Sequence, residues 1–163
     1  MAKGKHKKDQ NHSPRIVNRR ARRDYVVLDS FEVGIVLRGS EVKSIREGRV
    51  QISEAFAKVD SNRMELFLFN MEISAYSHAS GANGHEHIAT RKLLARRRQI
   101  KRLQVESEDR GVTLIPLTLY FNERGIAKIE LGICKGKKTH DKRDDIKERQ
   151  ADLDIRRLMS KRM

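Results

Sequence analysis

The chain has 163 residues with 36 Lys+Arg against 22 Asp+Glu, a formal net charge of +14, and charge of one sign at that level calls for a polyanionic partner, nucleic acid before an anionic membrane surface. That length suffices for one domain with a core plus tails, and no apolar run approaches the roughly 20 residues a membrane-spanning helix needs. The single cysteine, Cys134, excludes an internal disulfide framework and fits a reducing cytosol, and the basic start has no apolar stretch behind it, which excludes a secretory signal.

Residues 1–17 form a basic arm. Tyr25-Val26-Val27-Leu28 and Gly34-Ile35-Val36-Leu37 are short β-branched runs separated by Asp29-Ser30, which predicts two strands. Residues 40–47 predict a short helix, N-capped by Ser40 and stopped by Gly48. Residues 52–59 and 64–69 predict two further strands. The stretch 77–89 (SHASGANGHEHIA) has no apolar anchor and is expected to be mobile or ordered by a partner.

Residues 90–109 predict the long helix, ended by Gly111, with Leu93, Ile100 and Leu103 on one face and Arg96, Arg97, Arg98 and Lys101 on much of the rest. Thr113, Ile115, Leu117, Leu119 and Phe121 alternate, as do Ile129, Leu131 and Ile133, so two strands flank a hairpin turn at Asn122-Glu123-Arg124-Gly125. About six short strands with few helices over residues 18–134 predict a mainly β fold, a small closed β-barrel with flanking helices. Residues 135–163 hold few large apolar groups. Ordering each residue costs roughly 1–2 kcal/mol, so this basic tail is expected to be disordered when free and helical when bound.

The charge is localised. Residues 1–23 have nine basic groups and one acid, and residues 134–163 have eleven and six. Residues 91–102 add seven basic groups without an acid, so everything else is slightly acidic. Three basic runs around an acidic body describe a footprint for nucleic acid.

Two stretches hold residue types that could carry chemistry. His78, His85 and His87 invite a metal reading, but no cysteine lies near and the ligand spacing of structural zinc sites is missing. The run from Gly132 to Thr139 falls short of a phosphate-binding loop, with three residues between its glycines and an extra Lys before the Thr. No enzyme, metal or cofactor is expected. GKKTHDKR reads better as an RNA clamp: Gly136 admits a phosphate, Lys137, Lys138, Lys142 and Arg143 neutralise charge, His140 stacks on a base, and Asp141 accepts from a base amino group.

NRRARRDY (18–25), FEVGIVLRGSEVKSIREG (31–48), TRKLL (90–94), GVTLIPLTLYF (111–121) and GICKGKKTHDKRDDIKER (132–149) stand in an order that resembles the small protein B (SmpB) family of bacterial trans-translation. The resemblance implies an OB-fold-like barrel, no catalysis, and binding to the tRNA-like domain of transfer-messenger RNA (SsrA RNA). It implies delivery to a stalled ribosome, with alanyl-transfer-RNA and elongation factor Tu in the same complex, in the cytoplasm, as one monomer per RNA. By the same resemblance Asn18, Arg19, Glu32, Arg91, Lys92 and Leu94 grip transfer-messenger RNA. Gly136, Lys137, Lys138, His140, Asp141, Lys142, Arg143, Leu158 and Met159 belong to a tail that enters the decoding centre and messenger channel. Ala95 departs from the family, where a third Leu is common. The competing expectations are a general single-stranded RNA-binding or ribosomal OB-fold protein and, more remotely, a nuclease using the His cluster.

Overall fold

The computed structural model describes residues 13–76, 78 and 84–161, apart from the side chains of Thr139, His140 and Lys161. Nine strands and four helices follow in the order β1 (Ile16–Val17), α1 (Arg19–Asp24), β2 (Tyr25–Ile35), α2 (Gly39–Arg46), β3 (Val50–Gln51), β4 (Phe56–Asp60), β5 (Glu65–Phe69), β6 (Glu72–Ile73), β7 (Arg91–Leu94), α3 (Arg97–Ser107), β8 (Val112–Phe121), β9 (Ala127–Gly136) and α4 (Thr139–Lys161). Strands β8, β4, β5, β7, β2 and β9 pair in that order, and β9 pairs back to β8, so six strands form a ring. β1 adds to the outside of β8. The fold is mainly β with flanking helices, as the sequence predicts.

The alternation in the strands is what fills this ring. Leu66 and Leu68 of β5, Ile129, Leu131 and Ile133 of β9, and Val33 of β2 converge on one core with Ile45 of α2 and Leu103 of α3. A second, smaller cluster lies outside the ring, where Ala21 of α1 packs on Ile115, Leu117 and Cys134. Burial pushes the Cys134 thiol up to about 11, so it stays protonated and unreactive at neutral pH.

Two irregularities separate the observed strands from the expected ones. Residues 25–28 and 34–37 do not make two strands: β2 is continuous, and a bulge between Val27 and Asp29 passes the polar pair. In β8 the register shifts between Pro116 and Thr118. Leu119 therefore turns into the main core while Ile115 and Leu117 face α1, and the simple alternation expected for this strand breaks. Proline has no N–H to give to a ladder, which suits it to a bulge.

The larger correction concerns residues 90–109. They are not one helix. Arg91–Leu94 is a strand with alternating burial, paired with both β5 and β2, and only Arg97–Ser107 is helical. Leu93 matches the helical spacing to Ile100 yet equally satisfies the two-residue period of a strand, and pairing on both sides decides between them.

Arg91 is the reason this strand sits where it does. Its side chain is 3% exposed and pairs with the 6% exposed Glu41 of α2 at 2.9 Å. The same guanidinium donates to the Met71 and Ala89 carbonyls at 2.7 and 3.0 Å. The other Glu41 oxygen accepts the Arg38 backbone N–H at 2.7 Å, so Arg38 and not Ser40 is the N-cap of α2. Ser40 Oγ instead meets His85 Nδ1 at 2.9 Å. At the other end Gly48, with φ of +77°, ends α2 as expected.

Residues 84–89 are tied down rather than loose: Ile73 N–H donates to the His87 carbonyl at 2.8 Å and Ile88 bridges to Glu72. Residues 77 and 79–83 of the expected mobile stretch lie outside the described residues. The tail, expected to be disordered alone, forms the 23-residue helix α4, about 35 Å long. Ile146, Leu153, Ile155, Leu158 and Met159 are all exposed, so helix-favouring composition, not packing, supports it.

Arg91→Ala removes one member of a buried pair and leaves Glu41 charged without its partner. The free energy of unfolding in urea is expected to fall by about 3–5 kcal/mol.

Candidate RNA interface

Three residues singled out in the sequence meet at one groove. Glu32 of β2 and Lys92 and Leu94 of β7 line an open cavity of about 630 Å³ whose far wall is the start of α3, with Arg96, Gln99 and Ile100. Strand periodicity explains the arrangement: with Arg91 and Leu93 turned inward, Lys92 and Leu94 must face out. Leu94 is 54% exposed, an apolar surface of the kind a ribose or base packs against. Its partner Gly34 lets β2 lie close against it, since a Cβ there would be 3.2 Å from the Leu94 Cβ.

The groove is rimmed by cations. Arg63, Lys92, Arg96 and Lys128 line it, and Arg97, Arg98 and Lys101 are exposed on the adjoining helix with no ion pair to any described residue. Lys92 pairs with Glu65. Glu32 accepts a hydrogen bond from the Tyr120 hydroxyl, and Lys128 Nζ stands 3.7 Å from its other oxygen. Burial, with the bond to Glu32 adding to it, pushes Tyr120 up to about 12. Arg63, Lys128 and Tyr120 had no signal beyond outward-facing strand or turn positions, and only the ring brings them to Glu32.

Of the three remaining residues assigned to this grip, Arg19 is exposed on α1 while Arg91 and Asn18 point inward. Arg91 is consumed by Glu41 and backbone carbonyls. Asn18 is 2% exposed; its Oδ1 accepts the Ala21 N–H at 2.9 Å, and its Nδ2 donates to the Ile52 and Pro116 carbonyls at 3.0 Å each. Asn18 thus caps α1 and bolts it to the ring. The helix it holds displays Arg19, Arg20, Arg22 and Arg23. Arg20 pairs with Glu54 and Asp24, and Arg23 with Asp24. Arg19 and Arg22 have no ion pair among the described residues.

The tail starts beside α1, at the opposite end of β9 from the hairpin. Gly136 ends β9 opposite Tyr25, and the Lys137 N–H donates to the Asp24 carbonyl at 3.0 Å. Lys137 also pairs with Asp145, and Lys142 lies 3.9 Å from Asp24. Arg23 beside Asp24 holds its carboxyl below the usual carboxylate range, and Lys137 does the same for Asp145. Those contributions exist above the ordinary carboxylate pKa and are lost as pH falls through the lowered values. Lys138, Asp141 and Arg143 are exposed, as are Leu158 and Met159. The side chain of His140 lies outside the described residues. Of the His cluster, His85 is spent on Ser40 and on the Ile73 and Ser74 carbonyls at 3.2 and 3.1 Å.

A family profile described as SmpB protein matches residues 15–161. The SsrA-binding protein of Corynebacterium diphtheriae is 46% identical over 160 residues, covering 98% of this chain and 96% of that one. That of Caulobacter vibrioides is 49% identical over 142 residues, 87% of this chain and 91% of its own, and that of Geobacillus thermodenitrificans is 46% identical over 145 residues, 89% and 91%. A chain of a solved structure described as "tmRNA-SmpB: a journey to the center of the bacterial ribosome" superposes with a TM-score of 0.66 at 45% identity, covering 78% of this chain and 87% of that one.

Asn18→Ala deletes a cap and leaves two buried carbonyls without their donor. Urea denaturation is expected to show a loss of about 1–3 kcal/mol, with weaker RNA binding following from the displaced α1.

Proposed function

The chain belongs to the SmpB family, and on that premise we propose that it binds the tRNA-like domain of transfer-messenger RNA and delivers it to stalled ribosomes for trans-translation. The observation that carries this is the groove: an exposed Leu94 and an acceptor, Glu32, enclosed by cations. Phosphates supply most of the affinity through the rim, while Leu94 and Glu32 contact sugar and base. A cationic surface for any single strand would instead offer rows of aromatic stacking platforms, and the residues lining this groove include none.

The tail carries the second task. Gly136, Lys137, Lys138, His140, Asp141, Lys142 and Arg143 meet small-subunit RNA at the decoding centre, and α4 continues into the empty messenger channel with Leu158 and Met159 near its end. A separate root for the tail, on α1 and away from the groove, supports this division. Elongation factor Tu travels in the same complex, one monomer serves each RNA, and the protein acts in the cytoplasm. Its work is placement of RNA without a chemical step of its own.

Two measurements test this. In a gel shift the folded tRNA-like domain should outcompete an unstructured RNA of equal length, and equal competition would refute structure-specific binding. A chain ended after Gly136, or carrying His140→Ala, should keep its affinity for transfer-messenger RNA and lose peptide tagging on stalled ribosomes. Tagging that survives the truncation would remove the tail from the mechanism.

A further inference from the structure

An acid inside a phosphate-binding groove needs a reason, because it repels the ligand unless it accepts specific hydrogen bonds. Two carboxylates line this groove. Glu65 is matched to Lys92 and behaves as part of the rim. Glu32 is held differently, from β9 beside its own strand and from β8 one strand further on: the Tyr120 hydroxyl of β8 donates to one oxygen and Lys128 of β9 stands 3.7 Å from the other. Tyr120 is in turn covered by Arg15, whose guanidinium carbon sits 5.2 Å from the ring centroid. Lys128 lines the groove but Tyr120 does not.

We propose that Tyr120 is a positioning residue for RNA recognition: it fixes the Glu32 carboxylate so that its remaining lone pairs face the groove as acceptors for the amino group of a nucleobase. The inference rests on Glu32 being an RNA contact, as in the reading above. An ionised carboxylate has about four acceptor sites; the hydroxyl takes one, Lys128 stands near the other oxygen, and the sites left over are open to the ligand. A glutamate on an exposed strand otherwise samples several rotamers, and freezing them beforehand removes an entropy cost from binding. Because Tyr120 keeps its proton up to about pH 12, the hydroxyl is a donor throughout the neutral range.

The test is a double-mutant cycle on the full chain, with the tRNA-like domain as ligand at fixed salt and thermal unfolding as the control. Tyr120→Phe keeps the ring beneath Arg15 and should weaken binding roughly three- to tenfold while leaving the salt slope and the thermal midpoint unchanged. In the Glu32→Ala background the same substitution should cost nothing further. Equal losses in both backgrounds, or no loss in the parent protein, overturn the role of Tyr120. Should Glu32→Ala alone leave affinity untouched, the assignment of Glu32 to RNA fails, a result distinct from an additive cycle.

Discussion

The ion pair between Arg91 and Glu41 is the constraint on which the rest of the molecule turns. Two charges in a nearly dry place are tolerable only with every polar atom satisfied, and here one guanidinium serves Glu41 and the Met71 and Ala89 carbonyls. It joins α2, the segment before β6 and the approach to β7. Strand periodicity then does the rest: an inward Arg91 commits Lys92 and Leu94 to the groove, so the groove-facing residues are aimed by a neighbour buried behind them.

That same residue marks the limit of what the sequence displays. The strands were legible because their alternation is strong: β9 fills the core with Ile129, Leu131 and Ile133 in the expected order, and the turn before it forms where expected. Arg91 was illegible because a buried Arg looks like its exposed neighbours in a basic run. Counting it among seven cations overstates the footprint and extends a helix back over a strand. Asn18 hides likewise, since a surface contact and a helix cap ask for the same small amide. The bulge at Pro116–Thr118 is a matter of register, which periodicity alone does not fix.

Glu32 and Leu94 were found by likeness to a family, and the fold supplies the physical reason for them. Leu94 is exposed because strand alternation turns its neighbour Leu93 into the core. Glu32 stands among cations because three adjacent strands bring Lys128 and Tyr120 alongside it. The charge runs at the two ends have different mechanical settings: the arginines of α1 are braced against the ring by Asn18, whereas among the described residues α4 is tied down at its root.

The placement of that root has a consequence for load. Gly136 is the last residue of a strand bonded along its length to β2 on one side and β8 on the other. Tension applied along the strand axis through the tail falls on many ladder bonds at once, in shear, instead of peeling them one at a time. The anchor therefore yields late, and a pull on the tail reaches β2, the strand that carries Glu32, through the ladder it shares with β9.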